Sequence, residues 1–166
     1  MVERVSVWWV CLLVALALAG CRSSPPSAEV PPAFDLSGDW QLIPARSDVP
    51  PTLLQLRARG GMLHLVAQDF PVLQARRMKV EQDEQSMGIS YDGGAYRDVS
   101  WGARKRGLWE VEAGWQEDQL VILSRAEDAD ARETFRLEPG GQVLVIGVEI
   151  RSGGERLLVT RTFSRT

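Results

Sequence analysis

The chain has 166 residues, of which 45% are hydrophobic, 7% aromatic and 25% charged, with a formal net charge of -3. That is the profile of one globular domain, and it excludes disordered and collagenous chains. With 19 Lys and Arg against 22 Asp and Glu there is no overall positive field to hold nucleic acid phosphates, and with one His and two Cys at most one site built on a zinc ion or a His-activated nucleophile could be attempted.

Reading along the chain, the first element is the apolar run Val5–Ala19 (VSVWWVCLLVALALA), preceded by Arg4 and followed by small residues. A bilayer-spanning helix wants about 20 apolar residues, so this shorter run reads as the core of a secretory signal covering residues 1–20. At its end stands Leu18-Ala19-Gly20-Cys21, which resembles the lipobox of bacterial lipoproteins. The resemblance implies cleavage before Cys21, a diacylglyceride thioether-linked to Cys21 and an acylated new N-terminus. One acyl chain holds a protein only marginally on a bilayer, whereas two or more hold it stably, so the mature protein is expected to be anchored rather than spanning. Arg22 follows the lipidated position; in enterobacterial-type sorting an Asp there retains the protein in the inner membrane, so the resemblance favours the outer membrane with the domain facing the periplasm. Residues 21–33 make up the anchored Cys and a tether, in which Arg22–Pro32 carries four Pro and three Ser and little to bury. Pro-rich chain extends at about 3.1 Å per residue, giving a spacer on the order of 30 Å.

From Phe34 to the end of the chain the hydrophobic period changes to two. Strands are expected near Gly38–Ile43, Ala75–Gln82, Met87–Asp92, Ala95–Ser100, Gly107–Trp115, Gln119–Arg125, Arg132–Glu138, Gln142–Ile150 and Glu155–Arg165. Asp92-Gly93-Gly94, Pro139-Gly140-Gly141 and Ser152-Gly153-Gly154 supply residues that tolerate the positive φ of tight hairpins. Between Pro50 and Pro71, TLLQLRAR reads as a short helix and GGMLHLVAQDF as either a strand or irregular chain. Consecutive hairpins without helices between them indicate an all-β, antiparallel up-and-down meander, and closure is the cleanest way for it to remove its edges. A barrel or half-barrel of about eight or nine strands results, as one domain over residues 34–166.

Parity sorts the residues of each strand into two faces. Trp109, Val111, Ala113 and Trp115 share one face, as do Glu133, Phe135 and Leu137, and Leu157, Val159, Arg161, Phe163 and Arg165. Two charges, Glu133 and Arg161, therefore fall on apolar faces. An unpaired ion out of water costs several kcal/mol, so they either pair with each other, or with an indole face in the case of Arg161, or reach the barrel rim.

Ser37-Gly38-Asp39-Trp40 at the first strand, with Arg161 on the last, is similar to the lipocalin arrangement, in which a Gly-X-Trp opens the barrel and an Arg of the final strand packs over that Trp. The domain also resembles small proteobacterial envelope lipoproteins of unassigned function, through Gly38-Asp39-Trp40, Leu42, Pro44, Ser47-Asp48 and Gly114-Trp115. The likeness implies a lipocalin-like barrel and carries no activity with it.

A barrel of this size is either filled by side chains or holds one small ligand. Trp40, Trp109, Trp115, Phe135 and Phe163 all point inward in this reading and serve either as core or as the lining of an apolar site, with Glu133 and Arg161 beside them. Ala103-Arg104-Lys105-Arg106-Gly107 reads as a cationic loop, solvated or resting on anionic headgroups. Glu127-Asp128-Ala129-Asp130 lacks the oxygen spacing and mid-loop Gly of a calcium site and reads as a turn; His64 reads as a partly buried structural residue. No GxGxxG or GxxxxGK segment is present, so no cofactor is expected, and no paired carboxylates suggest an enzyme. Two functions remain: a lipid-anchored, non-enzymatic binder of a small apolar molecule or lipid, and an envelope scaffold with a filled barrel that docks a protein partner.

Overall fold

The computed structural model describes residues 25–32 and 34–166. The signal segment and the expected acylation site Cys21 lie outside the described residues. Ten strands are present: β1 (Gly38–Leu42), β2 (Arg77–Gln82), β3 (Ser86–Tyr91), β4 (Tyr96–Ser100), β5 (Gly102–Arg106), β6 (Trp109–Gln116), β7 (Gln119–Ala126), β8 (Ala129–Leu137), β9 (Val143–Ser152) and β10 (Glu155–Arg165). They form one antiparallel sheet in the order β4-β3-β2-β1-β10-β9-β8-β7-β6-β5. The meander curls until the last strand lies beside the first, with Trp40 opposite Arg165 and Leu42 opposite Phe163. The two ends of the order, β4 and β5, are neighbours in the chain and are separated by Trp101 alone, so the sheet is a nearly closed barrel with one seam. Across that seam Arg104 of β5 reaches Asp98 of β4 at 2.9 Å.

Three expectations are corrected by the fold. The segment Ala103–Arg106 is not a loop but most of β5, which pairs with β6 from Gly102↔Ala113 to Arg106↔Trp109. Its charges suit an edge strand, where they discourage pairing with another chain. The stretch expected as strand or irregular chain holds a second helix: α1 (Leu53–Ala58) and α2 (Leu63–Ala67) form a pair between β1 and β2. A capping box starts α1, in which Thr52 Oγ1 accepts from the Gln55 N–H at 3.2 Å and Gln55 Oε1 accepts from the Thr52 N–H at 2.8 Å. Leu56, Leu63 and Ala67 turn inward, and α2 packs against β9 and β10, so the helices cover one end of the barrel, its mouth. Lastly, the tether is not an extended spacer throughout: Ser27 forms an antiparallel bridge with Trp115 at the opposite end, the base.

Beyond β1 the chain keeps its grip on β10 through both backbone and side chains. The Ile43 N–H donates to the Thr162 carbonyl at 2.8 Å, Ser47 Oγ accepts from the Thr162 N–H at 2.9 Å, and Asp48 Oδ2 accepts from the Thr160 N–H at 2.7 Å. Two side-chain oxygens thus take the place of a neighbouring strand's carbonyls, leaving few orphaned donors on that stretch of β10.

Most of the barrel interior is apolar and packed. Trp40, Phe135, Phe163, Leu120, Ile122, Leu144 and Ile146 have at most 1% of their surface exposed. They belong to one contiguous buried cluster, so this part of the barrel is filled by its own side chains.

Candidate functional site

Within the described residues, the aromatic and charged residues singled out in the sequence have definite places. Trp40 is buried, donates from Nε1 to the Leu36 carbonyl at 2.9 Å, and lies under a guanidinium. That guanidinium belongs to Arg165, 4.5 Å from the ring centroid, and not to Arg161. Arg165 stands directly opposite Trp40 in the ladder, whereas Arg161 comes four residues earlier in β10. Glu133 and Arg161 are both buried, as parity requires, but they do not pair with each other. Arg161 donates to the carbonyls of Asp48 at 3.0 Å and Ala75 at 2.7 Å, which fixes the ends of the helical connection to the barrel wall. Burial and the neighbouring Arg76 hold its pKa below the ordinary guanidinium value. Phe135 and Phe163 belong to the filled core, and Trp115 lies at the base, 4.6 Å from Trp101 and 6.0 Å from Phe34, both edge-on. Trp109, half-buried, lies at the mouth.

Glu133 pairs instead with Arg97 of β4, whose Nη1 sits 2.6 Å from Oε1 and 2.5 Å from Oε2. The pair crosses the barrel interior, for β4 and β8 are not neighbours in the sheet. Burial works against the Arg97 charge, but Glu133 and the Tyr91 hydroxyl outweigh it, and its pKa rises. Burial pushes the Tyr91 phenol up well beyond its ordinary value, the effect of Arg97 in the other direction being smaller. The Arg97 guanidinium also lies 5.6 Å from the Phe70 ring centroid. Phe70 meets Trp109 edge-on at 5.9 Å, and Trp109 Nε1 donates to Asp69 Oδ2 at 2.8 Å. Arg97, Phe70 and Trp109 are thus linked as a buried cation, an aromatic ring and an indole, tied to the end of α2 by Asp69.

Above this group the mouth opens into a cleft of about 450 Å³ lined by Gln68, Asp69, Arg97, Leu108, Trp109 and Val111, with Arg106 and Ser124 at its sides. Arg97, Val111 and Ser124 are buried on the inner wall, so the cleft reaches into the barrel, whereas Leu108 at the tip of the β5–β6 hairpin is 88% exposed. Arg106 makes no ion pair among the described residues, and its charge is felt by Tyr91. The volume is in the range of small-molecule sites, and the lining combines an apolar wall with a few polar groups. Among the described residues no group of three or more His, Cys, Asp or Glu is placed to hold a metal ion, and no helix is long and apolar enough to cross a membrane.

Comparison with known proteins rests on shape, since no family model matches the sequence and no curated protein does. The barrel superposes on the fluorescent protein UnaG with a TM-score of 0.52 at 13% identity, over 79% of this chain and 97% of that one. Zebrafish ileal bile acid-binding protein, solved with cholic acid, gives 0.50 at 11% identity over 78% and 98%. Fatty-acid-binding protein 1 of Echinococcus granulosus gives 0.50 at 8% identity over 79% and 97%. The fold is a lipocalin-like β-barrel. Identity this low speaks for fold alone, and the site has to be argued from the residues of this chain.

Arg97, Tyr91, Phe70 and Asp69 escape a reading that looks for motifs. The signal for Arg97 is parity: it alternates with Val99 on the buried side of β4, while Tyr96 is exposed. Phe70 and Asp69 join the site only through the helical connection, and no spacing rule announces them.

Proposed function

We propose that this protein binds a small amphipathic molecule with an anionic end, of the fatty-acid class, at the barrel mouth, and does so without catalysing a reaction. The observation that carries the reading is the cleft itself. An apolar wall of Leu108, Trp109 and Val111 runs down to Arg97, with Arg106 beside it as a cation that has no ion-pair partner among the described residues. An acyl portion would lie along the indole and the leucine, and a carboxylate would face Arg106, where a charge-assisted hydrogen bond is about twice as strong as a neutral one. The bile-acid-binding and fatty-acid-binding neighbours support a barrel of this shape as a container for such molecules. The lipobox-like Leu18–Cys21 supports a protein acylated at Cys21 and held on the outer membrane, with the barrel in the periplasm.

Titration with palmitate, followed by tryptophan fluorescence, tests the ligand. A saturable change is expected in the native protein, weakened at least tenfold in Arg106→Glu and lost in Trp109→Ala, whereas hexadecanol, which lacks the charge, binds more weakly than palmitate. No saturable response to either compound would overturn the reading. The packing of Trp40, Phe135 and Phe163 favours a second one, an envelope scaffold with a solid barrel that docks a protein partner on its outer face.

A further inference from the structure

The bridge between Ser27 and Trp115 is made in both directions: the Ser27 N–H donates to the Trp115 carbonyl at 2.8 Å, and the Trp115 N–H donates to the Ser27 carbonyl at 2.7 Å. It occupies a free edge. β5 begins at Gly102, opposite Ala113, so the last residues of β6, Gly114–Gln116, have no strand on that side. Gly114 permits the close approach, since a Cβ there would come 2.4 Å from the Ser27 carbonyl oxygen and 3.0 Å from Pro26 Cβ. A few residues further on, Phe34 and Leu36 are buried in the base. The tether therefore becomes part of the barrel at Pro26, at the end of β6 remote from Trp109 and the mouth.

Two lengths limit how the barrel can sit on a membrane. From Cys21 to Ser27 the chain has six links, which span about 20 Å at full extension. From Trp115 back to Trp109 at the mouth, β6 rises by a similar distance, about 20 Å. An anchor at Cys21 thus has no slack with which to turn the barrel over. We infer that the docked strap holds the domain base-down on its own bilayer, with the mouth opening away from that membrane, so that ligand is exchanged with the aqueous compartment and not with the anchoring bilayer. This rests on the acylation of Cys21 proposed above. Arg104, Lys105 and Arg106 on β5 would draw the mouth toward anionic headgroups, and the shortness of the free tether is what resists them.

The test uses the full-length protein expressed in an exporting bacterium and purified from its membranes. If mass analysis finds Cys21 unmodified, the anchor reading fails and the orientation fails with it. With Cys21 acylated, single cysteines at the mouth (Leu108→Cys) and at the base (Asp118→Cys) are labelled with a fluorophore, and the protein is placed in vesicles carrying a headgroup-linked quencher. The expected result is severalfold stronger quenching at position 118 than at 108, in phosphatidylcholine vesicles and also in vesicles containing phosphatidylglycerol. Equal quenching, or stronger quenching at 108, would overturn the orientation while leaving the anchor intact. Gly114→Val, which displaces the strap, is expected to shrink the difference. An insertion of Gly and Ser between Ser24 and Pro25 lengthens the tether without touching the barrel, and is expected to shrink it in the anionic vesicles; a difference unmoved by the insertion would also count against the strap as its cause.

Discussion

Glu133 has no exposed surface, and its carboxylate lies against a guanidinium that is itself 3% exposed. Taking both ions out of water is expensive, and the return depends on keeping the partner, so loss of one should hurt more than loss of both. Arg97→Ala is expected to cost about 3–5 kcal/mol in urea denaturation, and the double variant Arg97→Met with Glu133→Leu to lie near the native protein or above it. A double variant as unstable as the single one would refute the pair. Arg161 offers a second contrast. Its two bonds go to backbone carbonyls in the interior, whereas Arg156 is half-exposed and holds Glu149 at 2.9 Å on the surface. Arg161→Ala is expected to cost about 1–3 kcal/mol, and Arg156→Ala no more than about 1 kcal/mol; equal denaturation midpoints would sink the distinction. That Glu133 and Arg161 face inward was readable from strand parity. Which residues they meet was not, because the partners come from β4 and from the connection after β1, far away in the chain.

Among the elements, the meander was legible from Arg77 onward, since its strands alternate cleanly and its hairpins carry their turn chemistry. Gly153 and Gly154, with φ of 57° and 81°, occupy the β9–β10 turn that their sequence announces. What period-two reading passed over is β5, whose GARKR has no apolar face to display because it lies at the seam with its side chains in half-exposed or exposed positions. The helix over LHLVA was hidden for a different reason: five residues are too few for a helical period to emerge, and Met62 at its start makes no side-chain cap. TLLQLRAR, read as a short helix, starts with the capping box at Thr52. Ser47 and Asp48, which the sequence marked only through a family likeness, extend the pairing of β10. Ser47→Ala is expected to strand the N–H of Thr162, which is 1% exposed, at a cost of about 1–3 kcal/mol. An unchanged denaturation midpoint would show that water takes over that bond.

At the scale of the whole molecule, the filled lower barrel and the cleft at its mouth divide the labour. Trp40, Phe135 and Phe163 stabilise the fold by burying aromatic surface, while Trp109, only half-buried, lines the cleft proposed above as the binding site. The aromatic residues that the sequence grouped together as core or lining therefore separate by height along the strands, a coordinate that alternation of faces does not report. Closure itself depends on a contact of long sequence separation, for β1 is flanked by β2 and by β10, the final strand. As the chain is synthesised, β1 cannot find its second neighbour until the last strand has left the ribosome, so no shorter nascent species can possess a shut barrel. Withholding that last strand leaves β1 and β9 each with one unpaired edge.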